Sequence, residues 1–228
     1  MQAFPLVLLL VAFDPASVKD FATVEQELPG DKLIIHVLDY HIVEKTLFGK
    51  HHGIAGEKLD AEFAQLIKDA SAVHASHFKI LAGVKEVFTE GLTDENFPIY
   101  RAKVRSITAY HRELKQFSPD DGDVAKKILE EHRMELLRLG AETEHLLDGM
   151  GIVVKPAEGP EYEAARPVDG KLDEKLQLAR EEAIVKRIVK EGKTAWLVLG
   201  GGHDLTEIVR KHDGWGYVRV KPKGYPND

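Results

Sequence analysis

Three short apolar runs set the limits on what this chain can fold into: LIIHVL within residues 31–39, VKEVF within 84–91 and WLVLG at 196–200. The first, DKLIIHVLD, is nearly continuous, as a strand buried on both faces must be. Strands of that kind lie parallel and need helical crossovers between them. Helical periodicity fills the intervals. Leu59, Phe63, Leu66, Ile67, Ala70, Val73 and His77 recur at three and four, which predicts a helix from about Glu57 to Leu81, stopped by Gly83.

Two further stripes follow the second strand. Phe97, Tyr100, Val104, Ile107, Leu114 and Phe117 mark one, and Ala125, Ile128, Leu129, Leu136 and Leu139 the other. They predict a helical hairpin inserted at about 94–150. Residues 155–170, KPAEGPEYEAARPVDG, are rich in Pro, Gly and Glu and are expected to form a loop. A helix over 171–190, a short helix from Asp204 and a last strand, GYVRVKP, complete the chain. The expected fold is therefore α/β: a central, mostly parallel sheet flanked by helices, with an inserted helical hairpin, forming a single domain over 31–228.

Composition excludes several functions. With 31 Lys and Arg against 38 Asp and Glu, the net charge of −7 gives no electrostatic footprint for nucleic acid. The absence of cysteine removes thiol nucleophiles, thiolate zinc sites and iron–sulfur clusters, so any metal must be held by His, Asp, Glu and water. Residues 4–13 form an apolar run about half as long as a transmembrane helix needs. It has the length of a signal-peptide core, yet no Lys or Arg precedes it and Asp14 follows it. Two readings of residues 1–30 stand: an export signal, which makes the protein periplasmic or extracytoplasmic, or a buried first element of a cytoplasmic protein.

Each strong strand candidate ends in ionisable groups. Asp39 and His41 follow LIIHVL, Glu90 follows VKEVFT, and His203 follows WLVLGGG. Ligands of open α/β sheets bind outside the carboxyl ends of the strands, so these four residues are expected on one rim. Arg180 borders the apolar stripe of the helix before the last of these strands, together with Leu176, Ala183 and Ile184. From there it either snorkels to water or reaches a buried anion.

In this order, Leu38-Asp39-Tyr40-His41, Thr89-Glu90-Gly91, Arg180-Glu181-Glu182-Ala183 and Gly200-Gly201-Gly202-His203 resemble the superfamily of TraB and Tiki proteins, erythromycin esterases and haem-binding ChaN proteins. The resemblance covers about Asp31 to the C-terminus. It implies an α/β core with a helical insertion, and His41, Glu90, Arg180 and His203 as the polar site. It also implies metal-dependent proteolysis, ester hydrolysis of small-molecule or peptide substrates, or haem-iron binding. The first motif departs from the family's Gly-Glu-x-His or Gly-x-x-His, with Asp39 in place of the usual acid.

Two hydrolytic schemes follow. In one, His41 and His203, with Asp39 or Glu90, hold a divalent ion (Mn, Co, Zn or Fe) that activates water. In the other, these side chains act as acid and base without a metal. In either scheme Arg180 stabilises an oxyanion or a substrate carboxylate. The alternatives are a ChaN-like protein binding haem or iron, with Tyr100, Tyr110, His111 and His132 of the insertion available to flank haem iron, and a scaffold without chemistry. Gly200, Gly201 and Gly202 also invite a phosphate-cradling reading as cofactor ligands, although the spacing of known phosphate loops is missing. His51 and His52 are expected in a solvated loop, and His74, His77 and His132 on or beside core stripes. Glu142-x-x-His145 has di-iron spacing but no second copy.

Overall fold

The computed structural model describes residues 13–167 and 172–226. The apolar run at 4–12 and the end of the expected loop at 168–170 lie outside them. The chain runs β1 (Ala22–Leu28), β2 (Lys32–Asp39), α1 (Lys45–His52), α2 (Gly56–Ile80), β3 (Glu86–Thr93), α3 (Phe97–Leu114), α4 (Asp123–Leu139) and α5 (Ala141–Leu147). It continues through β4 (Val153–Glu158), α6 (Glu161–Ala164), α7 (Glu174–Lys190), β5 (Ala195–Gly200), α8 (Thr206–Val209) and β6 (Trp215–Pro222). The strands form one sheet in the order β1-β6-β2-β5-β3-β4, with β1 antiparallel to β6 and the other pairs parallel.

Alternation along the strands divides the core in two. Ile34, Phe88, Leu197 and Leu199 point to the face covered by Ile184, Val185 and Ile188 of α7. Ile35, Val37, Val87 and Val198 point to the opposite face, against Ile80 and Leu81 at the end of α2. The sheet is therefore buried on both sides, as the near-continuous apolar runs require.

The inserted helices α3, α4 and α5 lie between β3 and β4, with α3 and α4 antiparallel: Lys103 reaches Glu135 at 2.5 Å and His111 reaches His132 at 2.8 Å. No residue of α4 is fully buried. In the described residues no helix is long and apolar enough to cross a membrane.

Three expectations are corrected. Residues 155–158, expected in the loop, belong to strand β4, at the edge of the described sheet, where Pro156 is tolerated because an edge strand has ladder bonds on one side only. Leu176 does not share the buried face of Arg180: it is exposed, and the inward stripe of α7 runs Gln177, Arg180, Ile184 and Ile188. His51 and His52 sit in the last turn of helix α1, exposed, instead of in a loop.

Candidate functional site

Parallel pairing brings the carboxyl ends of four strands side by side. Asp39 of β2 is in register with Gly200 of β5, and β3 lies between β5 and β4, so Glu90 stands among them. Gly91 adopts φ +75°, a left-handed turn that favours glycine. On β5 the backbone of Gly200 comes so near that a Cβ there would stand 3.3 Å from both Glu90 Oε2 and His41 Nε2. That closeness lets the Gly200 N–H donate to Glu90 Oε2 at 2.6 Å. Beneath it, buried His36 bridges Tyr217 OH (2.6 Å) and the Leu199 carbonyl (2.9 Å), and burial lowers its pKa to about 4.

Glu90 is the hub. Its Oε2 also accepts from His41 Nε2 at 2.8 Å; its Oε1 accepts from Arg180 Nη2 at 2.6 Å and lies 3.6 Å from His203 Nε2. His41 turns its other nitrogen to Asp39 Oδ2 at 3.0 Å. His203 turns Nδ1 to Glu181 Oε1 at 2.7 Å, beside the Gln177 amide. Arg180 is buried with its Nη2 and Nε on Glu158, at 2.5 to 3.2 Å, and its guanidinium stacked over the Tyr162 ring at 5.1 Å. It reaches a buried anion and does not snorkel. The five residues read from the sequence as the polar site, Asp39, His41, Glu90, Arg180 and His203, are thus in one connected network.

The protons follow from the charges. Burial disfavours charge on His203, but its hydrogen bond to Glu181 and the nearby Glu90 carboxylate prevail and raise it to about 9. His41 is likewise opposed by burial yet held well above its ordinary value by Asp39 and Glu90. Burial would raise Glu90, but His203 and His41 hold it well below the usual carboxylate range. The network joins four carboxylates, Asp39, Glu90, Glu158 and Glu181, to the single guanidinium of Arg180, so with neutral imidazoles it carries three unbalanced negative charges. Protonation of His41 and His203 answers two of them.

Both nitrogens of His41 and Nδ1 of His203 are turned to carboxylates, and among the described residues no three His, Asp or Glu side chains are disposed as a metal shell. The glycine turn is similarly engaged: the Gly200 amide serves Glu90, the Gly201 amide lies 3.4 Å from the Asp39 carbonyl, and the His203 amide returns to the Gly200 carbonyl. Gly202 lines a cleft instead of forming a phosphate cradle.

Sequence reasoning missed Glu158, Glu181 and Glu142. Glu158 is fully buried at the end of β4. Glu181 had a signal in its place beside Arg180. Glu142, on α5, is 1% exposed and reaches the rim from the insertion. Its partner in the di-iron spacing, His145, instead donates from Nε2 to the Phe78 carbonyl at 2.7 Å and stacks on that ring. In the insertion, His111 is buried between His132 and Asp148, and Tyr100 bonds Thr143. His77 bonds the Leu38 carbonyl at 2.8 Å, and partly buried His74 has its pKa lowered by desolvation to about 4.

Two cavities meet at Glu90. A cleft of about 370 Å³ is lined by Arg180, His203, Gln177, Glu181, Tyr162 and Leu172, among others. A pocket of about 200 Å³ lies by Asp39, His41, Thr89, Tyr100 and Glu142. Compared with known protein families, curated proteins and solved structures, the chain matches none.

Proposed function

We propose that this rim is the active site of a hydrolase that cleaves a peptide or ester bond by proton transfer among its own side chains. One observation carries the reading: a single carboxylate, Glu90, is held between two imidazoles and an arginine, at the wall of a cleft. Pairing a depressed carboxylate with a raised histidine separates a base from an acid at neutral pH.

The loosest link in the network is the 3.6 Å separation between His203 Nε2 and Glu90 Oε1, and both residues line the cleft, from which a water reaches them. The water gives one proton to Glu90 as its oxygen adds to the substrate carbonyl carbon. His203 then passes its Nε2 proton to the leaving nitrogen or oxygen as the bond to carbon breaks. Glu90 returns the first proton to His203, so one water is consumed and the site is restored. Arg180 uses Nη2 and Nε on Glu90 and Glu158, leaving Nη1 for the oxygen on which charge develops. His41, fixed by Asp39, positions Glu90 and does not itself touch the reacting atoms. This scheme takes up the esterase side of the family resemblance and needs no metal in any step.

The test is turnover of p-nitrophenyl esters and short peptides by chelator-treated protein. Retained turnover, reduced roughly 10²–10⁴-fold by His203→Gln, is the expected result. Turnover that vanishes with the chelator and returns with one divalent ion would overturn the metal-free scheme. Turnover unchanged in His203→Gln would remove the site itself.

A further inference from the structure

The smaller pocket has no part in the steps above, yet it holds an unanswered charge. Glu142 is 1% exposed, and its Oε2 has no hydrogen-bond partner; Thr89 Oγ1, on the same pocket wall, is also buried without one. An orphaned buried carboxyl oxygen is costly unless a ligand answers it. Burial, reinforced by the nearby charge of Asp39, pushes Glu142 up to about 7. A neutral guest would leave the Glu142 carboxylate without a counter-charge, since Asp39 is already paired with His41. A hard metal ion needs several converging oxygens, and no such trio stands among the described residues. An ammonium group has three donors and one positive charge in a volume this pocket can hold. The cations facing the pocket are already balanced: His41 by Asp39 and Glu90, and Arg138 by Glu44 at 3.2 Å.

We infer that the pocket between Glu142, Thr89 and Asp39 receives the ammonium group of the substrate, which is therefore an amine-bearing ester or peptide. This rests on the hydrolase reading, and it gives that reading a substrate class. Glu90 lines both cavities, so an amine seated beside Glu142 places the neighbouring carbonyl at Glu90, with the remainder of the substrate in the larger cleft against Tyr162 and Leu172. The geometry fits a free amino group next to the scissile carbonyl.

The decisive measurement is carbon NMR of glutamate-labelled protein at fixed pH, with Glu142→Gln assigning the Glu142 carboxyl signal. Ethylammonium chloride is expected to move that signal saturably, ethanol and Mg²⁺ are not, and Thr89→Val is expected to weaken the ethylammonium response at least threefold. A signal that ignores ethylammonium, or that follows Mg²⁺ instead, overturns the inference. In parallel, the preference in kcat/KM for alanine p-nitrophenyl ester over propionate p-nitrophenyl ester should fall at least tenfold in Glu142→Gln. If neither ester is cleaved, the hydrolase reading fails while the NMR response still decides what the pocket binds.

Discussion

At His203, burial and hydrogen bonding act in opposite senses on one proton, and the bond to Glu181, with the nearby Glu90 carboxylate, wins. Its folded pKa of about 9 lies above its ordinary 6.5, so the stabilisation is fully present below pH 6.5 and is lost as pH rises through 9. The full effect is roughly 3 kcal/mol. Urea unfolding of wild type and His203→Gln should therefore show a gap at pH 6 that closes by pH 10. Glu142 acts in a lower window. Its folded pKa of about 7 exceeds the ordinary 4.5, so the native state holds its proton more tightly and stability declines as pH rises from 4.5 through 7. Glu142→Gln should flatten the urea midpoint between pH 5 and 8; a midpoint as steep as that of wild type would contradict this. His41, Glu90 and His203 were legible because strand ends can be read from apolar runs. Glu142 was not, because nothing local to the insertion tells which of its carboxylates is carried back to the rim.

Among the elements, β4 shows why part of the site could not be read. Its sequence, VVKPAE, contains a proline and two charged residues, and only its place at the sheet edge makes it a strand. With β4 read as loop, Glu158 had no position, and Arg180 could only be offered two fates. Removal of one partner from a buried ion pair leaves the other uncompensated, so Glu158→Ala should destabilise the fold by about 3–5 kcal/mol, measured by denaturant unfolding. A loss under 1 kcal/mol would mean that the pair is hydrated. The helix α7 was placed correctly by periodicity, but its inward face was read one residue early, because Leu176 is apolar and Gln177 is not. The polar residue turns inward because His203 and Glu181 give it partners. By contrast α4, with no fully buried residue, has few contacts to protect its backbone. Hydrogen exchange should be faster across α4 than across α7, where Ile184, Val185 and Ile188 are buried.

For the whole molecule, the parallel α/β architecture followed from the three apolar runs, while the antiparallel strand β1 did not, since residues 22–28 alternate with polar residues and resemble a surface segment. Acid stability is also a property of the whole. Asp39, Glu86, Glu90, Asp94 and Asp148 all sit below their ordinary values, held there by His or Lys and Arg partners, although burial opposes this at most of them. A depressed carboxylate contributes stability present above its unfolded pKa and lost as pH falls through its folded one. Melting temperature should therefore hold down to about pH 5 and fall below it, and a rise in melting temperature between pH 5 and 3 would refute the charge network described. The two ends of the sheet have a different consequence. Pro156 lacks an N–H on one outer strand, and exposed Glu25 and Glu27 put like charges on the other. Neither border of the sheet formed by the described residues invites a second chain to add a strand, so the same proline that disguises β4 in the sequence also opposes edge-to-edge pairing on its side.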